Sequence, residues 1–175
     1  MHRSYYTVTT ILSGQKLGAG KVKESKENVE AMIVLTIISI GGFSLLIFFN
    51  APAIVNLFGD NPATLNTAVK FIRALSVGGP LITIYGVLAG HLNGAGNTKS
   101  ALYANLLSQT IFKLGFSYIL GVIFNLGLLG VFIALPLDFI GRAVWVARKY
   151  LSNEWIAEAD GLISERRKKD KTNFK

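Results

Sequence analysis

The chain has no cysteine, which excludes a disulfide framework and any thiolate metal site. It has two histidines, His2 and His91, too few and too far apart to suggest a metal cage. Charge is scarce as well: Asp, Glu, Lys and Arg make up 16% of the 175 residues, against roughly 25% in an average soluble domain. The shortfall is uneven. Charges gather in residues 16–30 and 148–175, and the stretch between is nearly bare. Apolar spans with polar ends produce that pattern; a single soluble core does not. No secretory leader pattern is visible, because Met1–Tyr6 lead into a mixed segment without an apolar core or an A-x-A site. No nucleophile–base pair and no metal cluster stands out, so the sequence reads as that of a non-enzyme with no bound cofactor.

What is present is long apolar sequence. A helix needs about 20 mostly apolar residues to cross a ~30 Å hydrocarbon core. Ala31–Gly59 carries no charge over about 29 positions, and its dense part, Met32–Phe49, ends at Asn50-Ala51-Pro52. Ala74–Thr98 follows, charge-free apart from His91. Ala101–Ile123 holds the single charge Lys113, and Leu126–Ala147 is interrupted by Asp138 and Arg142. The fold class expected is therefore all-α and integral to the membrane, with four transmembrane helices. Thr7–Ser13 is mildly apolar but too short to span, and reads as the end of a truncated helix. The expected organisation is residues 1–30, a helix end plus a basic loop; 31–150, the four-helix region; and 151–175, a basic tail.

The net charge of +8 does not point to nucleic acid. Lys16, Lys21, Lys23, Lys26, Lys99, Arg148, Lys149 and the run Arg166–Lys169 sit beside apolar spans. There the cytoplasmic leaflet attracts each by roughly 1 kcal/mol. The loops on the other side are nearly uncharged, so the positive-inside rule puts both termini in the cytoplasm of a multi-pass protein of the plasma (inner) membrane. Lys70 and Arg73 lie at the edge of the second span, where long side chains snorkel. Leu151, Trp155, Leu162 and Ile163 mark a loose apolar face before the basic run, which suggests a short interfacial helix that anchors the end of the chain and a disordered tail.

Polar residues inside the spans are candidate functional sites. Asn105, Gln109 and Lys113 recur every four residues and share one helix face. Either they line a central cavity, or Lys113 snorkels outward while its neighbours bond between helices. Tyr85, like Tyr103 and Tyr118, could stack on an aromatic cation or simply pack. Asp138 and Arg142, at i and i+4, face the same way and form a candidate intrahelical ion pair. A lone charge there costs ~2.5–3.5 kcal/mol on insertion scales, so the pair is either self-neutralised structure or a proton- or cation-responsive element. Gly86, Gly90 and Gly94 form a smooth stripe suited to close helix packing within the chain or between copies. The glycine loop ending in Gly20-Lys21 lacks the P-loop spacing, since Gln15 and Val22 stand where Gly and Ser/Thr are required.

The glycine-rich loops carry more than turn chemistry. Gly14-Gln15-Lys16-Leu17-Gly18-Ala19-Gly20-Lys21 resembles a signature of the multidrug and toxic compound extrusion (MATE) family. Gly90-His91-Leu92-Asn93-Gly94-Ala95-Gly96-Asn97-Thr98-Lys99 resembles its G-x-L-R-G-A-G-D-T-K segment, with Asn93 and Asn97 in place of Arg and Asp. Leu57–Pro62 resembles its L-F-x-x-D-P loop, with the acid displaced to Asp60, and Pro136–Ala143 with Arg148 and Trp155 resembles the last helix and its exit. The four occur in the family's order. The resemblance implies a partial C-terminal lobe of a twelve-helix, two-lobe transporter: the tail of the eighth helix and then helices nine to twelve. It implies part of a cation-coupled antiporter, driven by Na⁺ or H⁺, that exports drugs or other organic cations. The expected partners are those small cations, membrane lipid, and the missing N-terminal lobe or an upstream part of the same gene. Two other readings are a lipid-linked oligosaccharide flippase of the same superfamily, which needs a more cationic cavity, and a non-transporting membrane scaffold.

Overall fold

The computed structural model describes residues 2–58, 62–157, 159–161 and 164; within these, the side chains of 2, 62, 63, 100, 101, 104, 105, 107–109 and 112 are not described. The described residues are helical almost throughout. In order they are α1 (His2–Gly18), α2 (Val22–Thr36), a π-helical turn (Ile37–Gly41), α3 (Gly42–Asn56), α4 (Pro62–Gly94), α5 (Thr98–Leu107), π segments at Ser108–Phe116 and Ile119–Ile123, and α6 (Leu128–Leu151).

Three of these helices are long and apolar enough to cross a membrane: Val22–Asn56, Thr64–Gly94 and Leu128–Leu151. The chain is a multi-pass membrane protein. The fourth expected span is helical from Thr98 to Ile123, but it alternates between α and π winding. The first span begins earlier than expected. Lys23 and Lys26 lie on α2 rather than in a loop, so the basic segment is itself the polar foot of a 35-residue helix. At 1.5 Å per residue that helix is roughly 52 Å long, well beyond the ~30 Å hydrocarbon core.

Both glycine-rich signatures have one structural explanation. α1 ends with Lys21 N–H on the Lys16 carbonyl (2.9 Å) and Gly20 N–H on the Leu17 carbonyl (2.8 Å). α4 ends with Asn97 N–H on the Leu92 carbonyl (2.9 Å) and Gly96 N–H on the Asn93 carbonyl (3.0 Å). This is the Schellman pattern, and it needs a left-handed residue after the last turn. Gly20 (φ 76°) and Gly96 (φ 90°) supply it. The repeated Gly-Ala-Gly is thus the same helix stop used twice.

The stops lie side by side because α1 and α4 pack in parallel. A Cβ on Gly90 would meet the Tyr6 carbonyl oxygen at 2.5 Å, and one on Gly94 would meet the Thr10 carbonyl oxygen at 2.6 Å. The small-residue stripe on α4 is therefore spent on packing within the chain. α4 is central: it also packs on α3 and α6. Gly78 accepts the Phe139 ring of α6, and Gly130 of α6 lies on the Leu120 backbone.

The buried core sits at one end of this bundle. Leu17, Val29, Tyr85, Leu88, Leu92, Val146 and Trp155 form one apolar cluster. Many apolar residues of the Val22–Asn56 helix and α6, such as Ile38, Phe49 and Ile133, are exposed, as membrane solvation allows. Trp155 departs from the expected interfacial anchor. It is fully buried, and Ala159 is nearly so, so these two residues turn into the core while Leu151 stays exposed; Leu162 and Ile163 lie outside the described residues. The basic run 166–169 lies outside the described residues.

Candidate functional site

Asp138 and Arg142 form the ion pair expected of them, and it is bidentate. Arg142 donates from Nε to Asp138 Oδ1 (3.1 Å) and from Nη2 to Oδ2 (2.7 Å). α6 places both on one face because residues four apart are neighbours on a helix. The carboxylate is 1% exposed and the guanidinium 11%, so the pair points inward. A planar fork matched to a carboxylate is the geometry that best offsets the cost of burying two charges. Tyr85 of α4 is buried and lies within electrostatic range of Arg142, Asp138 and Tyr6. The tertiary structure thus joins two expected site features that sequence had left separate: Tyr85 and the ion pair.

Of the other expected cavity residues, only Lys113 has a described side chain. Lys113 is exposed on its π segment, while Tyr85 is in the core. The side chains of Asn105 and Gln109 lie outside the described residues, as does the Gly59–Asn61 part of the Leu57–Pro62 loop. The π winding over Ser108–Phe116 changes the register of that face, because an i→i+5 turn turns each residue through a smaller angle than an α turn.

A second polar cluster lies at the capped ends of α1 and α4 and was not singled out from sequence. His91, fully buried, shares a 2.8 Å hydrogen bond between its Nδ1 and Ser13 Oγ of α1. Its ring meets Trp155 edge to face at 4.3 Å between centroids and Tyr150 at 5.3 Å. Trp155 Nε1 donates to the Tyr150 carbonyl (3.0 Å), and Lys26 stands 5.6 Å over the indole while bonding Asn153 Oδ1 (2.8 Å). Four segments meet here: α1, α2, α4 and the exit of α6. The available signal was a histidine inside an otherwise uncharged stretch of span. Nearby, Asn93 donates to the Tyr6 hydroxyl, so the residue standing where the family segment has Arg ties α4 to α1.

At the foot of α2, Glu24 binds Lys16 (2.5 Å) and Lys21 (2.7 Å). Hydrogen bonds from those two lysines hold its carboxyl down to about 2 from the ordinary 4.5. Glu24 precedes the apolar run Met32–Phe49 by about two turns, outside the membrane-crossing segment.

The MatE family model matches residues 4–119. The chain belongs to the MatE family. A probable multidrug resistance protein NorM of Thermotoga maritima is 24% identical over 165 residues, covering 92% of this chain and 34% of that protein. An uncharacterized transporter, YisQ, of Bacillus subtilis is 23% identical over 148 residues, covering 85% and 32%. A probable NorM of Streptococcus pneumoniae is 31% identical over 111 residues, covering 61% and 23%. The crystal structure of the eukaryotic MATE transporter AtDTX14 superposes with a TM-score of 0.82 at 20% identity, over 94% of this chain and 37% of that one. That likeness shows the fold. This MATE-family chain spans about a third of the length of the relatives it matches.

Proposed function

We propose that this chain forms the C-terminal part of a cation-coupled antiporter that exports drugs or other organic cations. The observation that carries the proposal is the family match over residues 4–119, with relatives named as multidrug resistance proteins. The inward ion pair and the core tyrosine within its electrostatic range suit a helix face turned toward other protein rather than toward lipid. Na⁺ or H⁺ is the proposed coupling ion, and the basic loops support a topology with both termini in the cytoplasm. Because the chain spans about a third of its relatives, the substrate path is proposed to need helices beyond these 175 residues. The oligosaccharide flippase is disfavoured, since the buried guanidinium of Arg142 is already matched by Asp138.

Ethidium efflux from everted membrane vesicles tests the proposal. The chain is expressed alone and together with the remaining helices of a MATE transporter, under imposed Na⁺ or pH gradients. Gradient-driven efflux is expected only in the combined form. Efflux by the chain alone, or efflux indifferent to both gradients, contradicts the proposal.

A further inference from the structure

A groove of about 520 Å³ opens between the Val22–Asn56 helix and α4. Ile37, Gly41, Leu45 and Phe48 form one wall, and Val77 and Pro80 the other. Local sequence explains the hollow. The π turn Ile37–Gly41 inserts an extra residue and widens the helix. Gly41 and Gly42 then leave open space where side chains would stand. Ser76 also borders the groove, but its hydroxyl is turned back onto the Ile72 carbonyl at 2.8 Å. The lining is almost wholly apolar.

One end of the groove is charged. Arg73 lies one turn from Ser76 on α4, and its guanidinium carbon stands 5.4 Å from the centroid of Phe48 in the facing wall. Lys70, three residues earlier, shares its face. Both are exposed, and neither forms an ion pair with a carboxylate among the described residues. From Ala74 to Gly94 the chain has no Asp, Glu, Lys or Arg. Those roughly 21 residues rise about 31 Å, one hydrocarbon thickness. With that stretch filling the hydrocarbon core, Arg73 and Lys70 stand at the level of the lipid phosphates.

We propose that the groove holds one acyl chain of an anionic phospholipid whose phosphate lies against Arg73 and Lys70. An apolar helix laid in the same groove would leave both cations unmatched. A zwitterionic lipid brings its own ammonium beside the phosphate and gains less from them. The assignment holds whatever the transporter carries.

The test reconstitutes the purified chain in nanodiscs containing traces of phosphatidylglycerol or phosphatidylcholine with the same photoreactive acyl chain, and maps adducts by mass spectrometry. Phosphatidylglycerol is expected to label residues 37–48 and 76–80 at least about fivefold more than phosphatidylcholine, the preference of a single surface cation for anionic lipid. The double substitution Lys70→Gln/Arg73→Gln is expected to reduce phosphatidylglycerol labelling to the phosphatidylcholine level. Arg73→Lys is expected to keep the preference, which separates lost charge from lost fold. Val77→Trp, at a half-exposed position, is expected to suppress groove labelling by both lipids. Equal labelling of the native groove by the two lipids overturns the proposal. So does phosphatidylglycerol labelling confined to other helices, or cross-linking of the groove to a second copy of the chain in place of lipid.

Discussion

Gly90 of α4 rests on the backbone of Tyr6 in α1: a methyl group at Gly90 would stand 2.5 Å from the Tyr6 carbonyl oxygen. The obstacle is backbone, so it cannot swing aside as a side chain would. Gly90→Ala is expected to destabilise the chain by about 2 kcal/mol, in the range found for overpacking. Gly18→Ala, where nothing lies within 4 Å, is expected to cost nothing. Unfolding in mixed detergent micelles, followed by circular dichroism, compares the two.

Asp138→Asn leaves the Arg142 guanidinium buried without its anion. Breaking a buried pair from one side costs about 3–5 kcal/mol. Arg142→Gln is expected to cost a similar amount by stranding the carboxylate. The double substitution is expected to cost clearly less than the sum, because it leaves no unmatched charge. A double-mutant cycle from the same unfolding measurement gives the coupling, and additive losses would show that the pair does not act as a unit.

Trp155 is fully buried between His91, Tyr150 and Lys26. Trp155→Ala is expected to cost about 3–5 kcal/mol, as for other large aromatic truncations in cores, and Trp155→Phe noticeably less. The chain has two tryptophans, so in a Trp145→Phe background the emission reports on Trp155 alone. It is expected to resist quenching by aqueous acrylamide, and Ser13→Ala or Lys26→Ala is expected to increase quenching by loosening the contacts around the ring.

Glu24 gives the polar foot of α2 a pH dependence of known sign. Its carboxyl is held at about 2 in the folded chain, below the ordinary 4.5. The two lysines therefore stabilise the fold fully above about pH 4.5, and that contribution fades as pH falls toward 2. Melting curves across this window are expected to show a steeper acid loss for the native chain than for Glu24→Gln. Identical slopes would mean that the pair with Lys16 and Lys21 does not form in solution.

Much of the fold can be read along the chain. Charge-free length marks the spans, because a helix must be about 20 apolar residues long to satisfy its backbone across the hydrocarbon. The glycine-rich loop at Gly20 is legible as a tight turn, because a left-handed residue without a Cβ penalty is a local requirement, whereas the same stop at Gly96 is hidden within the second apolar run, which reads on to Thr98. Asp138 and Arg142 disclose their pairing through i, i+4 spacing alone. In each case the physics acts within a few turns of one segment.

Other features depend on neighbours distant in sequence. The π winding over Ser108–Phe116 follows no residue pattern that periodicity detects. Trp155 reads as an interfacial anchor in sequence because an aromatic after a span usually is one; its burial follows from the pocket that Ser13, His91 and Tyr150 make between α1, α4 and the exit of α6. Sequence by itself determined the apolar spans and the i, i+4 placement of the ion pair, since each obeys a local rule. Tertiary structure alone decided that Gly90 and Gly94 face α1, that Tyr85 lies within electrostatic range of the ion pair, and that His91 closes onto Trp155. Those contacts arise where separate helices cross, and the spacing along any one of them does not encode which partner it meets.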